Sequence, residues 1–138
     1  MKIGAVVAAA GMSSRMKSFK PMLELSGSTV IKTAISTLKS AGVSKIVVVT
    51  GNNSEQLTKH LSSLDVDCIF NEDYQKTDMF YSACMGMRYI KDKTDIIFFL
   101  PADVPLFSLQ SLFTMIGFMN CSECSILTPT HNGKLGHP

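Results

Sequence analysis

The chain has 138 residues, 46% of them hydrophobic and 17% charged, which supplies one packed core and argues against intrinsic disorder. Its formal charge is +2, from 13 basic and 11 acidic residues, so no broad basic face for nucleic acid is expected. The apolar runs Ile3 to Gly11 and Ile96 to Leu100 fall far short of the ~20 residues that a membrane-spanning helix needs.

The opening MKIGAVVAAAGMSSR looks superficially like a signal peptide, but Ser and Arg follow its short apolar run directly. Lys2 to Ala9 reads instead as a buried first strand entering a loop. Ser28 to Ala41 places Val30, Ile31, Ala34, Ile35 and Leu38 at helical spacing, and Gly42 stops that helix. Lys45 to Thr50 (KIVVVT) is β-branched at its centre and predicts a second strand. Ser54 is read as the cap of a helix running through Leu64, with Leu57 and Leu61 on one face. Asp67 to Phe70 is a third short strand, Asp78 to Ile90 a helix, and Asp95 to Leu100 a fourth strand. Ser108 opens a helix to about Met119, and Ser125 to Leu127 is expected as a fifth strand.

Strands that are apolar on both faces and alternate with helices predict a mainly parallel sheet covered on both sides, a Rossmann-like three-layer α/β/α arrangement. Crossovers in such sheets are right-handed. The expectation is one domain over residues 1–138, soluble and cytoplasmic, binding neither membrane nor nucleic acid. Ligands of such sheets sit beyond the carboxyl ends of the strands, near the point where strand order reverses. That directs attention to the loops at 10–22 and 101–107.

The first loop reads AAAGMSSRMKSFK over residues 8–20. Gly11 lets the backbone turn sharply and approach a ligand, and successive N–H groups there can form an anion-binding concavity. Ser13 and Ser14 add hydroxyls, Arg15 a bidentate fork, and Lys17 and Lys20 point charges. This suits a triphosphate; a solvated basic turn is the plainer alternative. The Walker pattern is absent, with Met16 where its second Gly belongs. The dinucleotide pattern is absent too, with Ser13 and Met16 in place of glycines.

The second loop lies in DIIFFLPADVPLF, residues 95–107. Asp103 follows an apolar strand, and Pro101 and Pro105 restrict the backbone around it. A hard oxygen ligand of this kind suits Mg²⁺, which takes one or two carboxylates together with substrate phosphates. A helix cap is the other reading, although Ser108 is better placed for it.

The remaining chemistry-bearing residues carry less. Cys121 and Cys124 form a C-x-x-C pair that His131 and His137 could extend to a zinc site; reduced thiols are the plainer reading. Cys68 and Cys84 read as core residues. Met79, Met85 and Met87 read as core filler and His60 as an exposed helix residue. Asp65, Asp67, Glu72 and Asp73 read as a solvated acidic loop.

Together the two loops resemble the MobA-like NTP transferase family, most closely its molybdenum cofactor cytidylyltransferases. The family's opening pattern is matched by Ala9-Ala10-Gly11-Met12-Ser13-Ser14-Arg15-Met16 and then Lys20. Asn71 and Ser82 match an Asn after the third strand and a Ser in the next helix, and Ala102-Asp103-Val104-Pro105 matches the metal loop. Gly136-His137-Pro138 resembles the G-H-P of the cytidylyltransferase branch, and Ala-Ala-Gly in the first loop points to the same branch. Lys17 and Ala102 depart from the family's usual glycines.

The resemblance implies a nucleotide-diphospho-sugar transferase type of fold, C-terminally incomplete, since that family's domain runs on past G-H-P to a second metal-binding Asp and much of the acceptor pocket. It implies Arg15 and Lys20 as catalytic residues. Ala9, Ala10, Gly11, Ser13, Ser14 and Ser82 would bind nucleotide, Asp103 would hold Mg²⁺, and His137 would touch the acceptor. The implied reaction transfers CMP from CTP to a phosphorylated acceptor, molybdopterin carrying molybdenum, and releases pyrophosphate. Transfer to a sugar phosphate or phosphocholine is the sister reading. A nucleotide-binding module without catalysis is the reading from another class.

Overall fold

Strand β1 (Ile3–Ala9) lies inside the sheet because both of its faces are apolar: six of its seven residues are buried. A computed structural model describes residues 1–11 and 18–136. In it β1 pairs in parallel with β4 (Lys45–Thr50) on one side and with β6 (Ile96–Pro101) on the other. The edge strand β5 (Asp67–Phe70) pairs in parallel with β4. The order β5-β4-β1-β6 reverses direction at β1, so the switch point lies between the carboxyl ends of β1 and β6. The α/β fold with a parallel central sheet is therefore as the sequence pattern predicts.

Alternate residues of each strand point to opposite faces. Ile3, Ala5, Val7 and Ala9 share one face with Ile46 and Val48, packed against Ile31, Ile35 and Leu38 of α1 (Val30–Ser40), Leu57 of α2 (Ser54–His60) and Leu112 of α4 (Leu109–Cys121). Val6, Val47 and Val49 face the other way, onto Ile90, Met85 and Met87 of α3 (Met79–Ile90). These are the three layers. Helix α3 packs close because residue 86 has no side chain, and a Cβ there would run into Val6.

Four local details differ from the sequence reading. Ser28 does not open a helix. It lies in the hairpin of β2 (Glu24–Leu25) and β3 (Ser28–Thr29), closed by Ser26 and Gly27, both at positive φ. That is the geometry of a two-residue hairpin turn whose twist matches the strands. Helix α2 ends at His60 rather than Leu64, and its cap is Asn53 in left-handed conformation, which Asn tolerates better than most residues. Ser54 instead shares a 2.7 Å hydrogen bond with Thr50.

Ser125 to Leu127 is not a strand: it pairs with no strand among the described residues, and Ile126 is 85% exposed. So short a run holds extended form only with a partner edge and a surface to cover. The pairing nearby is β7 (Thr130–His131) with β8 (Lys134–Leu135), around Asn132 and Gly133. His60 is half-buried rather than exposed, with its Nε2 2.8 Å from Thr29 Oγ1. Burial, then the charge of Lys32, holds its pKa below the ordinary value. No helix among the described residues is long and apolar enough to cross a membrane.

Candidate functional site

The site forms where β1 stops. Ala8, Ala9, Ala10 and Gly11 carry the chain over the sheet's carboxyl edge, and a cleft opens on each side of Gly11. Of the expected first-loop residues, Ser13, Ser14, Arg15 and Lys17 lie outside the described residues, as does His137.

The first cleft is lined by Ala8, Ala9, Gly11, Phe19, Lys20, Pro21, Ala102 and Asp103. Lys20 begins a 3₁₀ turn, Lys20–Met22, set by Pro21, which is buried. Asp103 follows β6 and is held there by Ala102, whose N–H donates to the Ala8 carbonyl at 2.9 Å. Two residues 83 positions apart, Lys20 and Asp103, thus come within 3.8 Å, with side chains 35% and 42% exposed. This cleft therefore sets a part-exposed ammonium and a hard carboxylate oxygen next to each other.

Asp103 is the carboxylate of this cleft, and no group of three His, Cys, Asp or Glu able to hold a metal occurs among the described residues. That donor set fits a divalent ion completed by phosphate oxygens and water, not an all-protein cage. The zinc reading gains nothing from Cys121, Cys124 and His131: both thiols are exposed, and Cys124 Sγ approaches Ser122 Oγ and Met119 Sδ.

The second cleft is lined by Ala8, Ala10, Gly11, Tyr74, Thr77, Asp78, Met79 and Ser82. Its wall is built around Asn71, which follows β5 and is 1% exposed. The Asn71 amide donates to Thr77 Oγ1 at 3.0 Å and to Ser82 Oγ at 3.3 Å, and its carbonyl oxygen accepts from the Asp73 N–H at 3.0 Å. Thr77 Oγ1 in turn donates to the Asp73 carbonyl. Buried polar groups persist only when satisfied in this way, and a satisfied network is rigid. Gly51, at the end of β4, has no room for a side chain: a Cβ would sit 2.6 Å from Tyr74 Cβ and 2.7 Å from the Ala10 carbonyl oxygen. Tyr74 and Ala10 are thereby drawn together over the ends of three strands.

The structure therefore brings Ala9, Ala10, Gly11, Lys20, Ser82 and Asp103 to one edge of the sheet. Sequence reasoning missed Gly51, Tyr74, Thr77 and the cleft-facing role of Asp78. Only Asp78 carried a signal, as a cap three residues ahead of Tyr81.

The chain end of β1 and the acidic loop after β6 meet at the switch point of a parallel sheet, the place where open α/β sheets bind their ligands. The chain belongs to the MobA-like NTP transferase family, whose domain model matches residues 5–138. It is 28% identical over 130 residues to the bifunctional protein GlmU of Francisella tularensis subsp. holarctica, covering 93% of this chain but 28% of that protein. Among solved structures it is similar to a nucleotidyl transferase from Methanothermobacter thermautotroptrophicus, at 32% identity and a TM-score of 0.77, over 84% of this chain and 57% of that one. Rv0371c from Mycobacterium tuberculosis H37Rv shares the fold at 21% identity and a TM-score of 0.84, over 99% of this chain and 69% of that one. The chain thus spans little more than a quarter of the length of GlmU and under two thirds of the Methanothermobacter protein.

Proposed function

We propose that the chain is the nucleotide-binding part of a magnesium-dependent nucleotidyltransferase that moves CMP from CTP onto a phosphorylated acceptor, molybdopterin carrying molybdenum. The observation that carries this reading is the convergence of Lys20 and Asp103 on a cleft beside Gly11, in a chain of an NTP transferase family.

In this reading an acceptor phosphate oxygen attacks the α-phosphorus of CTP in line. One P–O bond forms, the bond to the β-phosphate breaks, and pyrophosphate leaves. The protein's work is positioning and charge stabilisation. Arg15 grips the β- and γ-phosphates, helped by the hydroxyls of Ser13 and Ser14. Lys20 stabilises charge at the α-phosphate. Ala9, Ala10 and Gly11 offer backbone groups to the nucleotide, and Ser82 stands at the base. Asp103 holds Mg²⁺, which when bound neutralises phosphate charge. His137 contacts the acceptor.

The test has two parts. Calorimetric titration of CTP and GTP, with and without Mg²⁺, is expected to show magnesium-dependent binding that prefers CTP. Pyrophosphate release with CTP and molybdenum-loaded molybdopterin then distinguishes an enzyme from a module that only binds nucleotide. Preference for GTP moves the protein to guanylyl transfer, and absence of binding to either overturns the reading.

A further inference from the structure

Among the described residues two ion pairs join separate elements, and they are built differently. Lys45 Nζ and Asp67 Oδ2 meet at 2.6 Å, a direct charge-assisted hydrogen bond. Lys20 Nζ and Asp103 Oδ2 stand 3.8 Å apart in the first cleft, beyond hydrogen-bond distance but well within mutual attraction. The looseness lies in the side chains, because both backbones are fixed. Buried Pro21 sets the turn that carries Lys20, and the Leu23 N–H donates to the Lys20 carbonyl at 3.1 Å. On the other side the Ala102 N–H ties the Asp103 loop to β1 at the Ala8 carbonyl, 2.9 Å away. A divalent cation taken by this carboxylate would lie beside the Lys20 ammonium, and like charges that close repel each other. Metal on Asp103 and ammonium beside Asp103 are therefore alternatives until an anion joins them. A polyphosphate removes the conflict: its oxygens draw off the ammonium and fill out the coordination of a hard divalent ion.

We propose, resting on the nucleotidyltransferase reading above, that Lys20 is the counter-ion that keeps the Asp103 carboxylate from free divalent cation in the unliganded chain, so that the cleft admits metal together with a polyphosphate rather than ahead of it. Lys20 thus has a second role besides charge stabilisation at the α-phosphate: it sets which form of the substrate enters. Coupling of this kind is reciprocal. As Lys20 withholds Asp103 from the metal, Asp103 withholds Lys20 from phosphate.

The test is binding, without turnover. Mn²⁺ is titrated into the chain in the absence of nucleotide, and the free ion is counted by its paramagnetic resonance signal. Lys20 and Asp103 are 35% and 42% exposed, so substitutions there retain the fold, which thermal midpoints verify. Lys20→Ala is expected to bind Mn²⁺ about fivefold more tightly than wild type, the scale of a part-exposed ion pair. Lys20→Arg keeps the charge and is expected to bind no more tightly than wild type. Inorganic triphosphate without metal is the reciprocal probe, and Asp103→Asn is expected to bind it about fivefold more tightly. Equal Mn²⁺ affinities in wild type and Lys20→Ala, with binding lost in Asp103→Asn, would overturn the inference and leave Asp103 as the metal ligand. Tighter Mn²⁺ binding in Lys20→Arg would overturn it as well, since altered packing rather than lost charge would then be the cause. Mn²⁺ binding to neither wild type nor Lys20→Ala, or binding undiminished in Asp103→Asn, overturns the metal site of the proposed function itself.

Discussion

The two clefts beside Gly11 are built in opposite ways. In the first, Lys20 and Asp103 are more than a third exposed and meet only at 3.8 Å. In the second, Asn71 and Ser82 are 1% and 2% exposed and tied into a closed network. Charges that must grip a ligand stay solvated until it arrives, because burying them unpaired costs several kcal/mol. In the proposed reading the second cleft takes a neutral base, which offers no such attraction, so its recognition depends on donors and acceptors held in place beforehand. The first cleft should therefore tolerate mutation structurally and fail chemically, whereas in the second a mutation that breaks the packing should move stability as well as binding.

The largest expected effect tests the first half of that contrast. Lys20→Ala should lower turnover by about 100-fold or more, the usual consequence of removing a preorganised charge, with nucleotide affinity and thermal midpoint nearly unchanged. Near-normal steady-state turnover would remove Lys20 from its role. Next comes Gly51→Ala, where the new Cβ collides with Tyr74 and the Ala10 carbonyl. Overpacking of this kind costs about 1–3 kcal/mol, and because it displaces a wall of the second cleft, denaturant unfolding and nucleotide KM should both shift. Retention of both would mean that Tyr74 is not fixed there.

Asn71→Ala should cost a similar amount, about 1–3 kcal/mol, by stripping partners from Thr77 and Ser82. Here thermal unfolding should move more than the affinity for inorganic triphosphate does; the opposite order would refute a rigid base cleft.

The smallest effect supplies the scale. Lys45 and Asp67 pair at 2.6 Å across β4 and β5, away from both clefts. The hydrogen bond to Lys45 holds the Asp67 carboxyl below its ordinary value of 3.8, and the bond to Asp67 raises Lys45 above 10.5. The aspartate's contribution is thus complete above pH 3.8 and fades as pH falls through its depressed value. The lysine's is complete below pH 10.5 and fades as pH rises through its raised one. With both side chains about a third exposed, solvent screening limits the pair to about 0.2–1 kcal/mol. Asp67→Asn should lose that amount at neutral pH and nothing in strong acid, read from urea midpoints at the two pH values.

Much of the sheet was legible before any coordinates. The run KIVVVT is apolar on both faces, so it could only be an interior strand, and it is buried from Ile46 to Thr50. The helical spacing of Ile31, Ala34, Ile35 and Leu38 marked the face that α1 buries. The misses fell where such periodicity is silent. The Ser26-Gly27 and Asn132-Gly133 hairpins are too short to show it, although Asn-Gly is itself a strong turn signal. Ser125 to Leu127 has strand-like residues, but strand formation needs a partner that no local rule supplies.

At the site, the sequence by itself determined which residues could do chemistry: Lys20 as a cation and Asp103 as a carboxylate on a proline-bounded loop. It also determined that these lie on loops following strands. The tertiary structure decided which of them meet. Lys20 reaches Asp103 only because β6 pairs beside β1, and Asn71 reaches Ser82 and Thr77 only because β5 ends beside the start of α3. Periodicity records how each segment buries its own apolar face, a local property. Pairings between segments follow from strand order and register, which are set by the packing of the whole sheet at once.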